Sequence, residues 1–329
     1  MESTSIFSIK RETKTMVNRC SFRLFGAITV VAILFLAWTI PAGAKTNYTV
    51  ESIADALLEA EAKFTDLQLK YISTGMSPDD PNGRINTAES VYAQKIIQNK
   101  DGKKRLRYQK LKVTSVESKS GQRTLVWDTM ASYNGQVTRF LNNKVEQGKP
   151  MEGIIKDGYN RRYFPVLAED PHTKIWYSGG GDRLLGNFLK ESKDKFHIES
   201  QSELVNGIST VKVVGELVKA KTGKSLILKL WVSPEHNFLP LKRQRVLDSG
   251  ELTWEVGLYD LIELPNGLWY PKTIQSPAEP PGRPDAPWLS VCEILEISVD
   301  PITEKFFTLE FPPNTRVSDE VLGVSYTTQ

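Results

Sequence analysis

Between Leu226 and Ile274 the sequence LILKLWVSPEHNFLPLKRQRVLDSGELTWEVGLYDLIELPNGLWYPKTI permits little besides a run of antiparallel strands. Leu226, Leu228, Leu230 and Val232 alternate with Ile227, Lys229 and Trp231, and Leu252, Trp254, Val256 and Leu258 alternate with Glu251, Thr253 and Glu255. A side-chain period of two sends such sets to opposite faces of a sheet. Turn formers separate the runs: Ser233-Pro234-Glu235-His236-Asn237, Asp248-Ser249-Gly250 and Pro265-Asn266-Gly267. One face is apolar and aromatic, while the other carries Lys229, Lys242, Gln244, Glu251 and Glu255. The apolar face must cover either a packed core or a bound apolar ligand, and that choice is the functional question.

The chain of 329 residues is 40% hydrophobic and 25% charged, enough to bury a sizeable core. Its formal net charge of +3 is carried by the first 44 residues, where Lys10, Arg11, Lys14, Arg19 and Arg23 face only Glu2 and Glu12. The rest is formally neutral, which argues against nucleic-acid binding through clustered phosphate contacts. Residues 1–44 read as a signal peptide: a positive run, the apolar run 24–40, then Pro41-Ala42-Gly43-Ala44 with small residues suited to cleavage. An uncleaved inner-membrane anchor at 24–40 is the alternative, since the run sits at the short end of the roughly 17–25 residues a spanning helix takes. Met16 as the true start stays open. A lipid-modified cysteine is not suggested, because Cys20 precedes the apolar run. Only Cys292 remains beyond the leader, within LSVCEILEI, and it reads as a small buried hydrophobe rather than half of a disulfide.

Residues 45–329 read as one β-rich domain. Thr49 is placed to cap a helix whose apolar positions Val50, Ile53, Ala54, Leu57, Leu58 and Phe64 follow helical spacing. From Asp66 the period changes to two. A loop at 77–83, hairpins about Asn99-Lys100-Asp101-Gly102 and Asn134-Gly135, strands at 196–204 and 209–218, a turn at Lys221-Thr222-Gly223-Lys224 and a stiff Pro-rich loop at 277–284 follow. Two last strands are expected at 289–299 and 306–311. Residues 144–194 are the least strand-like part and read as an irregular insertion or lid, with a short helix at 183–190. One helix and about ten strands give a mainly β fold with a few helices: a curved antiparallel sheet with the helix as plug or lid over an apolar concavity.

Motifs of catalysis are weak. Asp248-Ser249-Gly250 superficially matches an aspartic-protease loop but occurs once, in a charged hairpin where it makes a plain turn. Gly179-Gly180-Gly181-Asp182 lacks the Lys-Ser/Thr of a phosphate loop and reads as a hinge. His172, His197 and His236 are far apart in sequence and read as structural or solvated. The basic run Lys103-Lys104-Arg105-Leu106-Arg107 reads as a solvated strand edge, with acidic headgroups or a partner as the other reading. Asn47-Tyr48-Thr49 matches a glycosylation sequon. No metal, cofactor or enzymatic activity is expected. Two carboxylates and a histidine gathered in one deep pocket would reopen the question of a hydrolase.

Five features, taken in order, resemble the periplasmic lipoprotein-carrier superfamily, the LolA/LolB-like proteins with their relatives RseB and LppX. They are the leader; the helix and exit from Ala56 to Leu67; the hairpin from Ser132 to Phe140; the strand-turn-strand from Trp231 to Lys242; and the ending from Phe307 to Thr315. The resemblance implies an unclosed β-barrel covered by helices, whose interior takes acyl chains without chemistry, and an arginine that latches the lid. Arg105 and Arg107 are the candidates for that latch. The chain is longer than the small carriers, mostly through 144–194 and the Pro-rich loop.

The expectation is an exported carrier that holds lipid or lipoprotein acyl chains, facing inward with Leu57, Phe64, Leu69, Trp127, Tyr133, Leu228, Leu230, Trp254, Val256 and Leu258. The alternative is an envelope regulatory or interaction module that senses lipoproteins or binds an envelope protein. Oligomeric state is left open by the sequence.

Overall fold

A computed structural model describes residues 47–76, 91–100, 103–116, 123–143, 149–164, 170–178, 183–219, 225–278 and 288–329. The leader, the loop at 77–83, the glycine run 179–182, the turn at 221–224 and the Pro-rich loop from 279 onward lie outside the described residues.

Helix α1 (Val50–Ala62) starts where its cap chemistry says it should. Thr49 Oγ1 accepts from the Ser52 amide at 3.1 Å, and the Thr49 amide donates back to Ser52 Oγ at 2.9 Å. This reciprocal pair satisfies two donors that a helix start otherwise leaves without partners. The helix buries Ile53, Ala54, Leu57 and Ala60, the stripe seen in the sequence.

The strands are β1 (Asp66–Met76), β2 (Val91–Lys100), β3 (Lys103–Val116), β4 (Arg123–Tyr133), β5 (Val137–Asn142), β6 (Glu152–Asp157), β7 (Phe196–Val205), β8 (Ile208–Lys219), β9 (Ser225–Ser233), β10 (Leu239–Leu247), β11 (Leu252–Glu263), β12 (Trp269–Ala278), β13 (Trp288–Ser298), β14 (Arg316–Asp319) and β15 (Val324–Thr327). They form one 15-stranded sheet in the order β15-β14-β6-β5-β4-β3-β2-β1-β13-β12-β11-β10-β9-β8-β7. Two meanders, β1 to β6 and β7 to β13, are zipped together where β1 pairs with β13. The first and last strands of that order do not pair, so the sheet is an unclosed barrel. Every neighbouring pair is antiparallel except β14 with β6.

Residues 144–194 hold more order than their composition suggests: β6, helix α2 (Pro171–Trp176) and helix α3 (Leu185–Glu191). Both helices turn their apolar residues toward the sheet, with Ile175, Trp176, Leu185 and Leu189 all buried in the single large core that also takes α1. Gly186 is the contact point between α3 and α1. A Cβ there would stand 2.6 Å from both the Ala54 carbonyl oxygen and Leu58 Cγ, closer than packed atoms approach.

Three expectations need correction. The strand expected at 306–311 is instead a 3₁₀ turn, Glu304–Phe307, and an irregular stretch. Its apolar residues are real anchors, with Phe307 packed on Ile96 and Ile302, but it is tied to the barrel by arginines rather than by a strand ladder. Arg107 donates to the Phe306 carbonyl at 2.9 Å and Arg139 to the Leu309 carbonyl at 3.1 Å. The basic run Lys103–Arg107 is accordingly not a sheet edge. β3 lies between β2 and β4, and Arg105 is buried, donating to Gln98 Oε1 at 3.0 Å and Glu304 Oε1 at 2.7 Å. Third, Leu252 does not join Val256 and Leu258 in the interior: it is 51% exposed at the start of β11, beyond the register shift that follows Arg245 on β10. The hairpin β14–β15 was not anticipated, because strands of four residues carry too little alternation to be read.

Gly186→Val is expected to lower the unfolding free energy by about 1–3 kcal/mol, the usual cost of overpacking, read as a lower urea midpoint at unchanged slope. A midpoint equal to that of the parent protein would mean that α1 and α3 are not in close contact.

Candidate ligand-binding site

A cavity of about 260 Å³ lies between α3 and the inner face of β8 to β11. Leu185 and Phe188 of α3 form its roof, while Leu217, Leu226, Leu228 and Trp254 come from the sheet. Arg243, Arg245 and Ser178 complete the lining. Strand register accounts for the arginines. On β10, Arg243 is paired with Leu230 on one side and Val256 on the other, and Arg245 with Leu228 and Trp254. Both therefore share the face of apolar residues, whereas Lys242 and Gln244 take the outer face, where Glu255 Oε2 stands 3.2 Å from Lys242 Nζ.

The two arginines do different things. Arg243 is buried and donates to the Tyr177 carbonyl at 2.6 Å and to the Lys174 carbonyl, gripping the last turn of α2. A cation at a helix C-terminus meets the negative end of the helix dipole and satisfies carbonyls that lack intrahelical partners. Burial, then the neighbouring Arg245 charge, lowers the Arg243 pKa to about 9, so it still carries its proton at neutral pH. Arg245 lies with its guanidinium 4.8 Å from the centre of the Trp254 ring, and its buried Nε has no hydrogen-bond partner. Arg105 and Arg107, the latch candidates, hold the C-terminal segment; the arginine that grips a helix end is Arg243.

The inward-facing residues expected from sequence divide as follows. Leu57, Phe64, Leu69, Leu228, Leu230, Val256 and Leu258 belong to the single large buried core, with Tyr133 and Trp254 half-buried against it. Leu228 and Trp254 also line the cavity. The Trp127 side chain lies outside the described residues. Of the residues not anticipated, Leu185 and Phe188 sit on the helix expected at 183–190, and the two arginines were concealed because a register shift at Leu241 breaks the even spacing of β10.

A second group of polar side chains is buried where α2 enters the barrel. Asp170 caps α2, accepting from the His172 amide at 3.1 Å and from Thr173 Oγ1 at 2.5 Å, and pairs with Lys95 of β2. Glu61 Oε1 stands 3.6 Å from His172 Nε2, an ion-pair contact longer than a hydrogen bond. Asp170 and His172 are 4% and 2% exposed, so of the two readings His172 is structural, on α2, rather than solvated. Two carboxylates and a histidine have thus come together, but inside the packed interior rather than on the wall of the cavity, and Asp170 is fully engaged by its cap and its lysine. The arrangement anchors a helix. Of the other histidines, His197 is exposed on β7, and His236 bonds Ser233 Oγ at 2.8 Å with its ring against Trp269. Burial pushes the Cys292 thiol up to about 12, which keeps it protonated and unreactive. Among the described residues no group of three His, Cys, Asp or Glu is placed to hold a metal, and no helix is long and apolar enough to cross a membrane.

No protein-family model matches the chain, and no curated protein sequence matches it. Among solved structures it is similar to a DUF1329 family protein from Desulfovibrio piger, at 13% identity and TM-score 0.42, covering 79% of this chain and 97% of that one. It is similar to a LolA superfamily protein from Nitrosomonas europaea, at 13% identity and TM-score 0.41, covering 80% and 99%. It is also similar to the Mycobacterium tuberculosis lipoprotein LppX, at 8% identity and TM-score 0.25, covering 77% and 97%. The family resemblance read from the sequence is thus met again among solved structures, at identities and scores that leave function to be argued from the chain's own residues.

Burial pulls the His172 pKa below its ordinary value of 6.5, although Glu61 opposes this. Below that pH the unfolded chain takes up a proton that the folded chain refuses, so stability is full above 6.5 and is lost as pH falls. Asp170 adds to the loss further down: burial raises its pKa but Lys95 more than offsets this and holds it below 3.8. The unfolding free energy is expected to fall from pH 7 to pH 5 by at most about 1.4 kcal/mol per pH unit from the one histidine, read as a lower thermal midpoint. His172→Gln should flatten that part of the profile; an unchanged slope would show that His172 protonates as readily folded as unfolded.

Proposed function

We propose that this protein is an exported carrier that holds a single apolar chain between α3 and the inner face of β8 to β11, with no chemistry performed on it. The observation that carries the reading is the cavity itself: six of its lining residues, Leu185, Phe188, Leu217, Leu226, Leu228 and Trp254, are apolar. Removal of apolar surface from water, at about 25 cal/mol per Å², is sufficient to hold such a ligand. Export is supported by the three-part leader at residues 1–44.

Size narrows the ligand. At 260 Å³ the cavity lies just under the ~300–1,000 Å³ of typical ligand pockets. If a methylene takes roughly the ~30 Å³ share of a liquid water, on the order of nine carbons fit. One chain enters this conformation; the several chains of a lipoprotein anchor would require α3 to lift.

A second reading, a module that docks an envelope protein, is favoured by one feature. The C-terminal hairpin ends the sheet with a free strand edge and exposes Leu322 (71%) and Val324 (48%), and such edges accept added strands. Retention of an envelope protein by the ligand-free chain, lost when Val324→Lys charges that edge, would support it.

The carrier reading is tested with the uncharged fluorescent probe N-phenyl-1-naphthylamine. The protein should bind it, and Leu217→Trp, which fills the cavity from its half-buried wall, should weaken binding at least tenfold (about 1.4 kcal/mol) while the thermal midpoint stays within a few degrees. Absence of probe binding, or binding indifferent to Leu217→Trp, would remove the cavity from the account.

A further inference from the structure

We propose that the cavity selects single-chain amphiphiles with an anionic head, a carboxylate or a phosphate, and that Arg245 is the residue that recognises the head; the inference rests on the carrier reading above and specifies its ligand class.

The argument begins with placement. Charged residues on the inner face of a barrel are costly unless paired, yet β10 puts two arginines there, in register with Leu228, Leu230, Trp254 and Val256. Arg243 is accounted for, since two of its nitrogens are committed to the Tyr177 and Lys174 carbonyls. Those partners are neutral and leave its charge uncompensated. Arg245 is not accounted for in that way. Among the described residues no carboxylate pairs with it, and its buried Nε meets no acceptor. Its one favourable contact is the face of Trp254, 4.8 Å from the guanidinium, with Arg243 5.4 Å from the same ring.

That ring contact has a geometric consequence. A guanidinium lying against an aromatic face keeps its N–H edge in the plane, available for the two parallel hydrogen bonds that planar carboxylates and phosphates accept. Both arginines and Trp254 line the same cavity as Leu185, Phe188 and Leu226, so a positive end and an apolar body belong to one space. The nearby acids are already engaged elsewhere: Glu255 accepts from Gln244 and faces Lys242 on the outer side, and Glu216 accepts from Ser225 Oγ at 2.6 Å. Burial lowers the pKa of both arginines, and the Arg245 charge lowers that of Arg243 further; a bound anion would favour the charged form of each.

The test is displacement of N-phenyl-1-naphthylamine at pH 8 by decanol, decanoate and decyl phosphate, ligands of one chain length that differ in the head. The parent protein should prefer at least one anion over decanol by tenfold or more, and the better of the two says whether a fatty acid or a lipid phosphate is the model. In Arg245→Gln the ratio of anion to decanol affinity should fall to about one, and Arg245→Lys, which keeps the charge but loses the planar fork, should fall between. Circular dichroism melts of both variants establish that they fold. Equal affinities for decanol and both anions in the parent protein, or an unchanged ratio in folded Arg245→Gln, would overturn the proposal while leaving the carrier reading intact. If the probe and decanol also fail to bind, the carrier reading falls first and this one with it.

Discussion

A helix of six residues has no stability of its own, because nucleating a helical turn costs more than so short a segment returns. That α2 exists at all depends on the buried pair between Asp170 and Lys95. Asp170 caps the helix with one oxygen and holds the β2 lysine with the other, so the start of α2 is fixed to the middle of the sheet. Arg243 fixes the other end from β10. Loss of one partner of such a pair leaves a buried charge uncompensated, at about 3–5 kcal/mol, which is large beside the ~5–15 kcal/mol of a whole domain. The pair therefore serves position more than stability, since two well-packed apolar residues would hold the same volume at less cost.

Position is what the rest of the architecture needs. An unclosed sheet has a concave face that must be covered, and the chain covers it from two places: α1 at its start, and α2 with α3 between the two meanders. Beneath α1 and α2, Phe64 at the exit of α1 is set against His172, Trp176 and Tyr270 at ring separations of 5.8–5.9 Å. Gly186 of α3 is pressed against α1, and beyond it Leu185 and Phe188 leave space above the arginine-bearing face of β10. The cavity lined by Leu185 and Phe188 thus lies under the third helix, on a side where the sheet carries positive charge.

Much of this was legible in the sequence, for identifiable reasons. The Thr49 cap and the stripe through Leu57 are local signals that tertiary contacts reinforce, and period-two runs such as Leu226–Val232 specify a strand whatever surrounds it. The turns at Asn134-Gly135 and Asp248-Ser249-Gly250 appear as their residues dictate, with Gly135 and Gly250 at positive φ. What failed to show were features that depend on distant partners. β6 and α2 are held, besides the adjacent β5, by β14, Lys95 and Arg243, all distant in sequence. The stretch at 306–311 alternates like a strand, yet its carbonyls are taken by Arg107 and Arg139. Arg243 and Arg245 were hidden because a basic pair between Leu241 and Val246 suggests an exposed strand, while the register with β9 and β11 places it inside. Separating lining from core was beyond periodicity altogether, since Leu228 and Leu230 have the same pattern and only one of them meets the cavity.

The most direct measurement is a crystal structure of the protein with a terminally brominated decanoate, located by the anomalous signal of bromine. The account predicts one bromine in the cavity beneath α3, with the carboxylate against Arg245. Bromine beneath α1, or only on the outer surface of the sheet, would contradict it.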